Sequence, residues 1–198
     1  MTRLIVPSED TVILGNRRPA RIKTVGSDVL WTDLPASELI NVDTIPLLRT
    51  DDYRRAPASA GQAAILLVED NPADLFLIRQ ALVLNEVESQ IFVASDGDEA
   101  LRLIHDIDSG ELPCPDLIVL DVNLPKVSGF RVLERLRASP KCHPRPVAIL
   151  TSSDSPTDRE EAARLGASRY IRKPTQLDQF MQIGRDLKEL LLGPAGAA

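Results

Sequence analysis

The chain has 198 residues, 43% of them hydrophobic, and a formal net charge of −6. That length holds one ordinary domain plus an extension, the apolar share suits a packed core, and the acidic balance speaks against a nucleic-acid-binding face. No apolar run approaches the roughly 20 residues that span a bilayer, and Met1-Thr2-Arg3-Leu4-Ile5-Val6-Pro7 meets charge and proline too early for a secretory signal. A cytoplasmic protein with no membrane contact is expected. Residues 1–62 carry eight basic and eight acidic residues, so the remainder holds the whole acidic excess. An acidic domain with carboxylates gathered at one edge attracts a divalent cation.

In chain order, residues 1–49 read as an extension of unknown fold. Short apolar pieces such as Leu4-Ile5-Val6, Val12-Ile13-Leu14, Val29-Leu30-Trp31 and Leu47-Leu48 are broken by prolines. These suit a small β-sheet or a loosely ordered arm. Residues 50–62 are polar, rich in small residues and contain Pro57, the composition of a linker. From Ala63 the pattern changes to alternating strands and helices. Ala63–Val68 is a buried strand, and Pro72 opens a helix through Leu75, Ile78 and Leu84. Gln90–Ala94 is a second strand, followed by a helix with Ala100, Leu101, Ile104 and Ile107 on its inner face. Leu117–Leu120 leads through a polar turn to a helix that Ser128 is placed to cap. Val147–Leu150 precedes a helix from Pro156 to Leu165 ended by Gly166. Ser168–Arg172 precedes a final helix, capped by Thr175, with Leu177, Phe180, Met181, Gly184, Leu187 and Leu191 in one stripe. Residues 193–198 read as a disordered tail.

Five β-α units with continuous aliphatic strands predict a doubly wound, flavodoxin-like parallel sheet over residues 63–192, of order 2-1-3-4-5. That order gathers the carboxyl ends of four strands in one crevice, with Glu69 and Asp70 after the first, Asp121 after the third, Thr151 after the fourth and Lys173 after the fifth. Glu69, Asp70 and Asp121 offer hard oxygen ligands of the kind Mg2+ takes. Asp121 can attack an activated phosphorus to give an acyl phosphate. The metal, Lys173 and Thr151 then each meet one oxygen of the transferred group.

Val68-Glu69-Asp70-Asn71-Pro72, Leu120-Asp121-Val122-Asn123-Leu124-Pro125, Leu150-Thr151-Ser152 and Lys173-Pro174 together resemble the receiver domain of two-component response regulators. The closer form is similar to single-domain receivers that serve bacterial phytochrome histidine kinases. The resemblance implies that Asp121 is the phosphoacceptor and that Asp70 binds magnesium directly, with Glu69 acting through water. It implies that Asn123 lends the metal its backbone carbonyl, that Thr151 and Tyr170 form the switch, and that Pro174 follows a cis bond. The implied partners are a sensor histidine kinase and either a downstream protein or a second copy. The latter would meet the face of the fourth helix, fifth strand and fifth helix, since no C-terminal DNA-binding output segment is expected. Glu69 stands where Asp is commoner in the family.

Taken singly, each strand-end residue has a plainer reading as a turn or cap. His105 and His143 read as surface residues without metal spacing. Cys114 and Cys142, the only cysteines, lie 28 apart with no CxxC pair, so neither a zinc site nor a redox motif is expected and they read as buried or idle thiols. A rival reading is a haloacid-dehalogenase-like, Mg2+-dependent phosphatase, but Asn123 stands where that chemistry needs a second acid. Residues 1–62 remain open as a regulatory arm, a dimerising segment or the product of an upstream start.

Overall fold

The computed structural model describes residues 46–55 and 62–193. Before these it describes the backbone of Thr11–Val12, Ala20–Val25 and Asp28–Trp31. Those three segments are strands β1, β2 and β3 of an antiparallel sheet in which Thr11 faces Arg21 and Lys23 faces Leu30. The apolar piece Leu4–Val6 and the tail 194–198 lie outside the described residues.

The second sheet is parallel and six-stranded. Its strands are β4 (Leu47–Arg49), β5 (Ala63–Val68), β6 (Ser89–Ala94), β7 (Leu117–Leu120), β8 (Val147–Thr151) and β9 (Arg169–Arg172), in the order β4-β6-β5-β7-β8-β9. Without β4 this is the expected 2-1-3-4-5. Period-two alternation feeds both faces of the sheet. Ala64, Leu66 and Val68 of β5 join one core cluster, and Ile65 and Leu67 join the other. The first cluster is covered by α3 (Gly97–Ser109), α4 (Gly129–Ala138) and α5 (Pro156–Arg164). The second is covered by α2 (Pro72–Leu84) and α6 (Leu177–Leu192). Continuous aliphatic strands are what a sheet buried on both faces requires.

Local chemistry sets the helix starts. Asn71 accepts from the Ala73 N–H ahead of Pro72, Asp96 caps α3 through the Glu99 N–H, and Ser155 caps α5 through the Asp158 N–H. Ser128 occupies the N-cap of α4 without a side-chain bond, and the cap of α6 is Gln176 rather than Thr175. Close approach dictates glycine at several points, Gly184 and Gly129 among them. A Cβ on Gly184 would lie 2.0 Å from the Ala81 carbonyl oxygen, where α6 crosses α2. One on Gly129 would lie 2.0 Å from the Asp121 carbonyl oxygen.

The segment expected as a linker is structured from its start. Leu47–Arg49 pairs with Ile91–Val93 at the sheet edge, and Thr50–Arg55 is a helix, α1. Its sequence, Thr-Asp-Asp-Tyr-Arg-Arg, is polar, with Tyr53 as its buried aromatic side chain and Thr50 buried beside it. Tyr53 is 1% exposed, its ring 4.3 Å from that of Phe92, and its hydroxyl donates to the Pro113 carbonyl at 2.9 Å. Thr50 donates to Glu99, and Arg54 pairs with Asp106 at 2.6 Å, tying α1 to α3. The folded unit therefore begins before residue 50 rather than at 63, and β4 covers what would have been an exposed edge strand.

Burial, and then the negative charge of Asp116, push the Tyr53 hydroxyl up to about 12, against the opposing influence of Arg145. An unfolded tyrosine ionises near 10. The folded chain thus holds this proton where the unfolded chain has lost it, and the stabilisation is full below pH 10 and fades as pH rises toward 12. Ultraviolet titration should show a phenol ionising only near pH 12, and Tyr53→Phe should remove that late component. Complete ionisation of both tyrosines near pH 10 would contradict the buried placement.

The two cysteines are not free thiols. Cys114, just before β7, and Cys142, after α4, form a disulfide with their Cα atoms 5.5 Å apart. Sequence spacing hid this because the fold brings both loops to the amino-terminal edge of the sheet. Among the described residues, no helix is long and apolar enough to cross a membrane.

Candidate functional site

Parallel strands end together, so the loops after β5, β7, β8 and β9 share one edge. Backbone bonds lock their order. The Glu69 N–H donates to the Ala94 carbonyl at 3.0 Å, that of Asp121 to Val68 at 3.0 Å, and that of Lys173 to Thr151 at 2.8 Å. Gly129 lets α4 start directly beneath the turn after Asp121, with its N–H on the Val122 carbonyl at 3.0 Å.

Lys173 organises the crevice. Its ammonium donates to Glu69 Oε2 at 2.7 Å, to Asp121 Oδ2 at 2.7 Å and to Asp74 Oδ2 at 2.8 Å. Glu69, Asp121, Thr151 and Lys173 are all buried. The second oxygens are also held, Asp121 Oδ1 by the Asn123 N–H at 3.0 Å and Glu69 Oε1 by the Asn71 N–H at 3.0 Å. Thr151 Oγ1 accepts from Asn123 Nδ2 and from the Ser153 N–H, both at 3.3 Å. Tyr170 is half-buried on β9, donates to the Ser153 carbonyl at 3.2 Å, and lies under the Arg159 guanidinium at 4.9 Å.

Burial raises the Glu69 carboxyl above the usual carboxylate range, although the Lys173 bond and the Asn71 N–H pull the other way. Burial alone would lower Lys173, but its bonds to Asp121, Asp74 and Glu69 outweigh that and hold the ammonium well above its ordinary value. Three acids share one ammonium, so by formal charge the cluster is negative. Asp70 stands beside them, exposed and without a hydrogen bond or ion pair among the described residues.

Of the residues singled out on the sequence, Glu69 and Asp121 meet on Lys173, and Thr151 bonds to Asn123 beside them. The third acid on Lys173 is Asp74, in the first turn of α2, a residue the sequence reading gave no role, and Asp70 is exposed. The Lys173–Pro174 bond is trans, as are all peptide bonds among the described residues, so the implied cis-proline is corrected. Trans is the lower-energy form of an X–Pro bond, and Lys173 reaches its three acids with the chain in that form. His105 and His143 are both exposed, as expected.

Among the described residues, no three His, Cys, Asp or Glu side chains form a ready-made cage. The residues present nevertheless suit an ion that takes one or two carboxylates and keeps its waters. The cluster holds uncompensated negative charge, and Asp70 is an unengaged carboxylate at its rim.

The model of the response regulator receiver domain family matches residues 65–185, more than half of the chain. The probable methanogenesis regulatory protein FilR2 of Methanothrix harundinacea is 33% identical over 129 residues, covering 65% of this chain and 83% of its own length. The response regulator Rcp1 of Synechocystis is 30% identical over 131 residues, covering 65% and 88%. The crystal structure of the Mn(2+)-bound form of Rcp1 matches with a TM-score of 0.60 at 28% identity, covering 68% of this chain and 97% of that one. The phosphorylated cyanobacterial phytochrome response regulator RcpA matches with a TM-score of 0.61 at 34% identity, covering 69% and 98%. With sheet order, strand-end chemistry and sequence in agreement, the chain belongs to the response regulator receiver domain family of two-component phosphorelay signalling.

Proposed function

We propose that Asp121 accepts a phosphoryl group from the phosphohistidine of a sensor kinase, with Mg2+ held by Asp70, Asp121 and the Asn123 carbonyl, and Glu69 acting through water. The observation that carries this reading is the Lys173 ammonium, buried and bonded at once to Asp121, Glu69 and Asp74. Asp121 oxygen bonds to phosphorus as the P–N bond breaks, and the departing imidazole keeps the electron pair and takes up a proton. The product is an acyl phosphate. Bound Mg2+ supplies charge neutralisation for the phosphoryl oxygens. Lys173 orients the acceptor carboxylate and meets a second oxygen, and Thr151 donates its hydroxyl to a third.

Thr151 gives up its contact with Asn123 when it turns toward the phosphoryl group. Tyr170 sits on the next strand, tied to Ser153 of the same loop, and is placed to follow. The readout surface is then α5, β9 and α6, which meets a downstream protein or a second copy. Similarity to RcpA and Rcp1 supports a phytochrome-type kinase as the donor. The phosphatase alternative is not favoured, because the position two residues after Asp121 is an amide already bonded to Thr151. The domain is taken to run from Leu47 to Leu192, and it serves as a signalling switch in the cytoplasm rather than as an enzyme with turnover.

Labelling the full chain with acetyl phosphate across an Mg2+ series tests the metal assignment. Asp70→Asn should need about tenfold more Mg2+ for half-labelling, because one charged ligand is lost. An unchanged Mg2+ requirement would remove Asp70 from the metal site.

A further inference from the structure

We propose that the Cys114–Cys142 disulfide is a reversible redox site whose reduction releases the arm Leu47–Arg54 from the sheet edge. The disulfide lies at the opposite end of the strands from Asp121, so this device is separate from the phosphoryl chemistry. The two sulfurs are unequal. Cys142 is fully buried beside Ser139, which accepts its N–H at 3.0 Å, while Cys114 is half-buried on the loop before β7. A dithiol reductant therefore attacks Cys114 Sγ. The S–S bond breaks, and Cys142 leaves as a thiolate that takes a proton. The second thiol of the reductant then resolves the mixed disulfide, releasing Cys114 as a thiol. Two electrons pass, and the reductant becomes a disulfide. In a thiol-reducing compartment such a bond serves as a sensor rather than a permanent staple.

The connection to the arm is one residue long. Tyr53, buried on α1, places its hydroxyl on the carbonyl of Pro113, the neighbour of Cys114. Pro113 and Pro115 have no N–H with which to fasten this loop to the sheet, so the disulfide is its covalent anchor between Leu112 and Asp116. The rest of the arm's hold is a three-residue edge strand, the Thr50–Glu99 bond and the Arg54–Asp106 pair, with Arg54 37% exposed. Cutting the anchor lets the Pro113 carbonyl move away and leaves the Tyr53 hydroxyl buried without a partner, which favours undocking.

Hydrogen exchange of the full chain, oxidised and after treatment with dithiothreitol, tests this. Amides of Leu47–Arg54 should speed up on reduction by at least tenfold more than those of α2 and α6. The Cys114→Ser/Cys142→Ser variant should match the reduced protein. Tyr53→Phe, which keeps the ring against Phe92, should exchange faster in the oxidised state and lose most of its response to reduction. Two thiols open to alkylation in the air-oxidised folded protein, equal acceleration of arm and core, or a full redox response in Tyr53→Phe would each overturn the proposal.

Discussion

Replacing Lys173 with methionine should cost about 3–5 kcal/mol of unfolding free energy at pH 7, the usual penalty for removing one partner from a buried ion pair. Methionine fills the space of the aliphatic stem but leaves Glu69, Asp74 and Asp121 facing one another with no cation among them. In the wild type the ammonium offsets the burial that already raises the Glu69 carboxyl. Without it, the folded state binds protons more readily than the unfolded state, so the loss should shrink as pH is lowered toward the carboxylate range. Urea denaturation at neutral and mildly acidic pH measures both effects. The double variant Lys173→Met/Glu69→Gln should recover part of the loss, since it removes one of the repelling charges. A loss below about 1 kcal/mol with no dependence on pH would mean that Lys173 is not the organising charge of the crevice.

The same substitution separates stability from chemistry. Phosphoryl labelling of Lys173→Met, measured at a pH where the variant is folded, should still be severely reduced, because the oxygen that Lys173 meets stays uncompensated. Lys173→Arg tests shape against charge. It keeps the positive charge, but a planar guanidinium cannot meet three separate carboxylates as a compact ammonium does.

The strand-end residues were legible because their chemistry conflicts with their surroundings. A carboxylate directly after Leu117–Leu120, or a lysine after Arg169–Arg172, interrupts an aliphatic pattern at a fixed point, and sheet order then decides which of them meet. Asp74 was missed because an acid in the first turn of a helix has a sufficient local explanation in the helix dipole. The usable signal was its place just after Pro72, where α2 starts over the strand ends and its first turn faces the crevice.

The arm was hidden for a different reason. Leu47–Arg49 is too short for periodicity, and α1 buries just one aromatic residue, Tyr53, beside the polar Thr50, so composition suggested a linker. The disulfide was illegible in principle, since a spacing of 28 shows nothing until tertiary structure brings two loops within 5.5 Å. The trans Lys173–Pro174 bond shows the limit of a motif. Shared residues brought Glu69, Asp121 and Lys173 together, but not every backbone detail associated with them.

Asp121 as the acceptor is the claim on which the rest depends, and one substitution tests it most directly. Incubated with acetyl phosphate and Mg2+, the wild-type chain should gain the mass of one phosphoryl group, labile to hydroxylamine as an acyl phosphate is. Asp121→Asn keeps the shape of the side chain, and its amide can still accept from the Asn123 N–H, but it offers no nucleophilic carboxylate. That variant should remain folded by circular dichroism and take up no label. A hydroxylamine-labile phosphoryl group on Asp121→Asn, at the wild-type stoichiometry, would place the chemistry on another residue and contradict the account.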